Sequence, residues 1–226
     1  MSLARVFTAV EHTTLRDHAY ARLREALMTG QFAPGEKLTI RGLAAAFGIS
    51  PTPIREAVGR LAAERALQAE PNRFIRVPLL SAAELQELRD IRLALEGLAV
   101  ERAARLITRA ELEEVARLDA AIVALRPGGD ARAMIPCISQ LHFAIYRAAR
   151  MPALLRLIEG CWLRTAPHVH LLFPGYTRHE KGALRTALIA ALRQGDAAAA
   201  RKNLEADVGR ALDHIIGLVA SAQRSA

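Results

Sequence analysis

Between residues 51 and 61 the apolar side chains recur with the spacing of one face of an α-helix. The positions that follow the pattern i, i+3, i+4, i+7 are Ile54, Ala57, Val58 and Leu61. Thr52 and Arg55 fall on the opposite, polar face of the same helix. The pattern therefore predicts a helix that buries one side in a core and presents Thr52 and Arg55 to solvent.

The residues before this helix predict two more helices and a tight turn. An amphipathic segment from Leu15 to Met28 ends at Gly30, and Thr39 is a good N-cap for a second helix that ends near Phe47. Gly48 suits a left-handed turn, Ser50 an N-cap, and Pro51 the first helical position, where a missing N–H is harmless. A short helix, a turn and a second helix form the arrangement that places one helix in the major groove of DNA.

The pattern after Leu67 changes from helical spacing to short runs typical of strands. Residues 66–70 and 74–77 read as two strands around the turn formers Pro71, Asn72 and Arg73. A hairpin after a helix-turn-helix predicts a winged helix-turn-helix domain over residues 1–78.

From Ser81 onward the chain is rich in Ala, Leu and Arg, which predicts an all-helical second domain over residues 79–226. Capping boxes mark two helix starts, at Ser81 with Glu84 and at Thr108 with Glu111, and Asp130 and Asp196 are further N-caps. The predicted helices span residues 81–106, 108–125, 130–149, 152–172, 177–194 and 196–221. Pro167 is expected to kink the fourth of them. The fold class is mainly α.

Composition and charge limit the classes of binding partner and the cellular compartment that we expect. The 226 residues carry a net charge of +8 and a pI near 10.4, which favours a polyanion. The first residues lack the apolar region of a signal peptide and no long apolar stretch follows, so we expect a cytoplasmic protein without membrane spans. Cys137 and Cys161 have no CxxC spacing and read as free thiols. Cys137 and His142 lack an orienting third group, so we expect no enzymatic activity.

Several motifs in the first domain resemble the DNA-binding domain of the GntR family of bacterial transcription regulators. They are Pro34-Gly35-Glu36-Lys37-Leu38, Leu43-Ala44, Gly48-Ile49-Ser50 and Pro53-Ile54-Arg55-Glu56-Ala57. The resemblance implies that Arg41 contacts a backbone phosphate, that Thr52 contacts DNA at the helix start, and that Arg55 reads guanine through two parallel hydrogen bonds. It also implies a DNA contact from the wing at Arg73, although Phe74 stands where many relatives carry glycine.

The helical part resembles the FCD ligand-binding domain of the FadR-like branch of that family. The resemblance is carried by residues 88–96, by Leu141-His142 followed by residues 148–154, and by residues 187–196. Most relatives hold a divalent metal with an aspartate and three histidines, and the matching positions here are Ile138, His142, Arg185 and Asp207. Isoleucine cannot coordinate a metal and arginine stays protonated, so we expect no metal cofactor. Zinc held by His142, Asp207 and His170 is the competing possibility.

The replaced ligands suggest an effector site for a small organic acid. Arg185 would bind the carboxylate in place of the metal, Asp207 would orient Arg185, and His142 would donate a further hydrogen bond. Arg92 is a further candidate on the first helix of the domain, and His168 and His170 are candidates on the fourth. The alternative is a closed, vestigial cavity in which Arg185 and Asp207 only pair with each other.

Together these features predict a homodimeric transcription regulator, a repressor, that binds a pseudopalindromic operator in double-stranded DNA and leaves it when a small organic acid binds. A twofold-symmetric dimer can read two half-sites at once, whereas one helix reads only a few base pairs. The alternative function is a constitutive DNA-binding regulator that senses nothing.

Overall fold

The structure is a computed structural model that describes residues 14–69, 74–125, 131–172 and 181–224. Its first domain contains three helices, α1 (Leu15–Met28), α2 (Ile40–Phe47) and α3 (Pro51–Ala63). Three short strands accompany them, β1 (Lys37–Leu38), β2 (Gln68–Ala69) and β3 (Ile75–Arg76). This order of elements confirms the winged helix-turn-helix architecture.

The sheet has the order β1-β3-β2, with antiparallel pairing throughout. The two strands of the wing are shorter than the sequence predicts, and β1 was not predicted at all. Lys37 pairs with Arg76 and Leu38 with Ile75. Ile75 and the following Val77 are buried, so the inner face of the wing packs on the core beneath α3.

The described residues of the second domain form helices joined by short connections, with no strand among them. Its helices are α4 (Ala82–Leu106), α5 (Arg109–Leu125), α6 (Ala131–Ala148), α7 (Pro152–Thr165), α8 (Lys181–Gln194) and α9 (Ala197–Arg224). The long helices α4 and α9 pack along each other, and α8 packs on α9. None of the helices in the four described ranges is long and apolar enough to cross a membrane.

The predicted helix starts are confirmed where the structure describes them. Ser81 and Glu84 form a complete capping box, and Thr108 and Glu111 exchange the same pair of bonds. Asp196 accepts a hydrogen bond from the backbone N–H of Ala199 at 3.0 Å. Ser50 occupies the N-cap of α3 but makes no side-chain capping bond. Asp130 lies outside the described residues.

The predicted helix over residues 152–172 changes its character near Pro167. The α-helix ends at Thr165 and continues as a 3₁₀ segment, Ala166–Leu172. Proline has no N–H to donate and its ring crowds the carbonyl one turn earlier, so the α-helical hydrogen-bond ladder does not continue through it. The predicted single helix is thus divided into an α-helix and a 3₁₀ segment near this proline.

The 3₁₀ segment joins the two domains. His168 Nε2 accepts a hydrogen bond from the backbone N–H of Leu80, in the connection before α4, at 3.1 Å. His170 Nε2 donates to the carbonyl oxygen of Gly30, just after α1, at 2.5 Å. Arg24 of α1 also forms an ion pair with Glu159 of α7 at 2.9 Å. The winged helix-turn-helix domain is thus attached to the helical domain at several points.

Candidate DNA interface and effector site

Helix α3 presents the surface predicted to read DNA. Gly48, which ends α2, has the left-handed φ of 65° that lets the chain turn directly into α3. The predicted core residues Ile54, Ala57, Val58 and Leu61 are all buried. Thr52 and Arg55 are exposed on the other face, as the spacing predicts.

The guanidinium group of Arg55 is left available for a partner outside the chain. In residues 14–69 the ion pairs around α3 join Arg16 to Glu56 and Arg60 to Glu64, and neither involves Arg55. Arg41 is exposed in the first turn of α2. The wing residue Arg73 lies outside the described residues, so its DNA contact stays a prediction.

The outer face of the wing carries a basic and aromatic cluster that the sequence did not reveal. The Lys37 ammonium lies 4.8 Å from the centre of the Phe74 ring, and the Arg76 guanidinium lies 5.3 Å from it. The strand register explains the grouping, because Lys37 pairs with Arg76, and Phe74 shares a face with Arg76 two residues away. Phe74 thus contacts two cations on one surface.

In the helical domain, Arg92 belongs to a buried hydrogen-bond network centred on Glu96. Arg92 Nε donates to Glu96 Oε1 at 2.6 Å, and Arg92 Nη1 donates to the Thr165 hydroxyl at 3.0 Å. Glu96 also accepts hydrogen bonds from the Tyr146 hydroxyl at 2.5 Å and from Trp162 Nε1 at 2.8 Å. Glu96 has no exposed surface, so its charge is stabilised entirely by these partners.

His142 joins this network through Tyr146, with His142 Nδ1 2.9 Å from the Tyr146 oxygen. On the other side of the ring, His142 Nε2 lies 3.8 Å from an oxygen of Asp207. Burial lowers the pKa of His142, more strongly than the neighbouring carboxylates of Asp207 and Glu96 raise it. The imidazole is therefore neutral near pH 7, and the structure brings together three of the four predicted effector residues, Arg92, His142 and Asp207.

The predicted pairing of Arg185 with Asp207 is wrong. Arg185 Nε donates instead to Asp119 of α5 at 2.7 Å, a contact between two helices that the sequence analysis did not connect. Arg185 is only 5% exposed, and its Nη2 is buried without a hydrogen-bond partner. A guanidinium nitrogen buried at this depth without an acceptor is unfavourable, and an ordered water or a ligand could supply that acceptor.

The residues at the family's metal positions do not fit a divalent cation. Ile138 offers no donor atom, and the guanidinium of Arg185 would repel a metal ion beside it. The competing zinc set is not assembled either, because His170 contacts Gly30 at the domain boundary. Across the described ranges no three His, Cys, Asp or Glu side chains lie close enough together to hold a metal ion. His168 is likewise engaged at the domain boundary rather than with His142.

Two family comparisons account for most of the chain. Residues 15–77 match the family described as bacterial regulatory proteins, gntR family, and residues 87–209 match the FCD domain. The chain belongs to the GntR family. It is a DNA-binding transcription regulator with an FCD domain, as the motifs of the first 78 residues and the helical order predict.

Named relatives agree with this assignment. The HTH-type transcriptional regulator McbR of Escherichia coli (strain K12) is 32% identical over 73% of this chain and 74% of its own length. A probable D-xylose utilization operon transcriptional repressor of Paenarthrobacter nicotinovorans is 35% identical over 56% of each chain. The solved structure of E. coli McbR/YncC superposes with a TM-score of 0.81 at 28% identity, covering 94% of this chain and 100% of that one. Both of these sequence relatives are named as transcription regulators.

Proposed function

We propose that this GntR-family protein is a homodimeric cytoplasmic repressor, released from its operator when a small organic acid binds in the helical domain. The observation that carries the sensing part is the buried Nη2 of Arg185, which has no partner in the described chain. Leaving a charged donor unsatisfied inside a protein is unfavourable by about 1–3 kcal/mol or more. A carboxylate accepting this hydrogen bond would remove that penalty.

The proposed DNA binding rests on exposed hydrogen-bond donors at the start of α3 and around it. Arg55 is positioned on a preorganised helix and can donate to guanine O6 and N7 together. Thr52 and Arg41 would contact the DNA backbone nearby. Lys37 and Arg76, held together on Phe74, add phosphate contacts from the wing. A dimer related by a twofold axis would apply this set to both halves of the operator.

The DNA-binding proposal is tested by selecting high-affinity duplexes from a random pool and measuring their binding by fluorescence anisotropy. We expect Arg55→Ala to weaken binding to the selected duplex by about 10- to 100-fold. It should also reduce discrimination against duplexes with substituted half-sites. Arg102→Ala, which removes an exposed arginine from α4, is the matched control and should leave binding unchanged. Equal binding by wild type and Arg55→Ala would overturn the proposed role of α3.

The sensing proposal is tested by thermal shift measurements with a panel of organic acids. A saturable rise in Tm that is lost in Arg185→Lys supports it. This variant keeps a positive charge near Asp119 but removes the forked guanidinium, so a loss would report on carboxylate binding rather than on the ion pair. The same acids should lower affinity for the selected duplex.

A constitutive regulator is the second candidate, and the ion pair of Arg185 with Asp119 favours it. That pair already neutralises the arginine without any ligand. If no acid changes Tm or DNA affinity while the selected duplex still binds, the protein does not sense acids.

A further inference from the structure

The side chains around His142 carry an unbalanced negative charge. Arg92 pairs with Glu96 and Arg185 pairs with Asp119, so these four charges cancel in two pairs. Asp207 is left over, because in the described part of the chain its ion-pair neighbour is His142, which is neutral near pH 7. The Asp207 side chain is only 12% exposed, so water stabilises its charge poorly.

The hydrogen on His142 points away from Asp207. Tyr146 has one hydroxyl hydrogen and donates it to Glu96, so the hydrogen shared by His142 and Tyr146 belongs to His142 Nδ1. A neutral imidazole carries only one N–H, which leaves Nε2 as an acceptor. His142 Nε2 and the Asp207 carboxylate therefore face each other at 3.8 Å as two acceptors. A group with several hydrogens to donate would satisfy both.

Arg185 offers the opposite chemistry on the neighbouring helix α8. Its buried Nη2 has a hydrogen to donate and no acceptor. The charges of Arg185 and Asp207 both act on His142, and their helices α8 and α9 pack against each other. The site thus combines an unsatisfied donor with an excess of acceptors and one excess negative charge.

We propose that the ligand of this site is an α-amino acid bound as a zwitterion. Its carboxylate accepts the hydrogen bond of Arg185 Nη2, and its ammonium group donates to Asp207 and to His142 Nε2. This inference rests on the proposed sensing function and narrows its small organic acid to one that carries an ammonium group. An acid without that group would bring a second negative charge beside Asp207 and leave two acceptors unpaired.

The experiment compares amino acids with their deaminated analogues on the full-length protein. Calorimetric titrations at pH 7 would use L-alanine with propanoate, L-leucine with 4-methylpentanoate, and L-phenylalanine with 3-phenylpropanoate, after a thermal shift screen of all common amino acids. Every further hit is measured with its own deaminated analogue. We expect at least one amino acid to bind about tenfold or more tightly than its analogue.

Variants assign that preference to the proposed groups. Asp207→Asn should bring the ratio of the two affinities close to one, because the neutral amide no longer attracts the ammonium group. Asp90→Asn, at an exposed aspartate of α4, is the matched control and should keep the wild-type ratio. The wild-type ratio decides the question by itself if Asp207→Asn fails to fold.

The possible results separate this inference from the function on which it rests. If the deaminated acids bind as tightly as the amino acids and depend on Arg185, the inference fails while acid sensing stands. A preference for an amino acid that survives in Asp207→Asn also overturns it. If neither class of compound binds, both the inference and acid sensing fail, and the constitutive regulator remains.

Discussion

Acidification should destabilise the protein through His168, which is buried at the junction of the two domains. The side chain is 1% exposed, and burial lowers its pKa from the ordinary 6.5 to about 4, against smaller opposing effects of the Arg164 backbone and Glu84. In the folded state the ring is neutral and Nε2 accepts the Leu80 N–H. A proton on Nε2 would replace that acceptor with a second donor.

The direction of the effect follows from where protons bind. Between pH 6.5 and pH 4 the unfolded chain holds a proton on His168 that the folded chain lacks, so stability decreases as the pH decreases across this range. One pKa unit corresponds to about 1.4 kcal/mol, so the full loss is about 3 kcal/mol. At pH 5 the free energy of unfolding should already have decreased by about 2 kcal/mol.

The measurement is urea unfolding followed by circular dichroism at pH 7 and pH 5. His168→Gln keeps an acceptor for the Leu80 N–H but does not titrate, so it should lose about 2 kcal/mol less than wild type between the two pH values. His18→Gln, at an exposed histidine of α1, is the matched control and should behave like wild type. Identical pH dependence in wild type and His168→Gln would refute this reasoning.

Three further predictions follow from other contacts. Glu96→Gln leaves Arg92 buried without its counter-charge and should destabilise the protein by about 3–5 kcal/mol in urea unfolding, whereas a change under 1 kcal/mol would show that the pair is dispensable. Gly30→Ala should destabilise it by at least about 1 kcal/mol, because φ is +64° and the new Cβ would lie 2.7 Å from Ile135 Cγ2; unchanged stability would contradict this backbone constraint. Lys37→Ala should weaken binding to selected and random duplexes equally. It should also lower by about 1 the slope of log affinity against log salt concentration, whereas a loss that depends on sequence would contradict a phosphate contact.

The helix-turn-helix structure around α3 could be predicted well because its determinants are local. The turn at Gly48, the helix start at Pro51 and the spacing from Ile54 to Leu61 all act within a few residues of one another. The strand Lys37–Leu38 escaped prediction because it is two residues long and owes its existence to pairing with Ile75–Arg76, far along the chain. A local sequence pattern does not predict a strand of that kind.

The side-chain contacts of the proposed effector region were predicted less well because they depend on which helices face each other. The sequence singled out Arg92, His142, Arg185 and Asp207, and the structure gathers three of them in one connected cluster. The partner of Arg185 was missed because Asp119 lies on α5, and pairing between α5 and α8 is a result of the packing of the whole bundle. Glu96 could have been found from its spacing of four residues after Arg92, which places the two on one helix face.

The seven residues of the 3₁₀ segment have a consequence for how a signal could leave the helical bundle. Thr165, which receives the Arg92 hydrogen bond, lies directly before that segment, and His168 and His170 hold the two domains together within the next turn and a half. A rotation of this short piece would displace both attachments together. The orientation of the winged domain relative to the helical bundle therefore depends on this short segment together with the Arg24–Glu159 ion pair between α1 and α7.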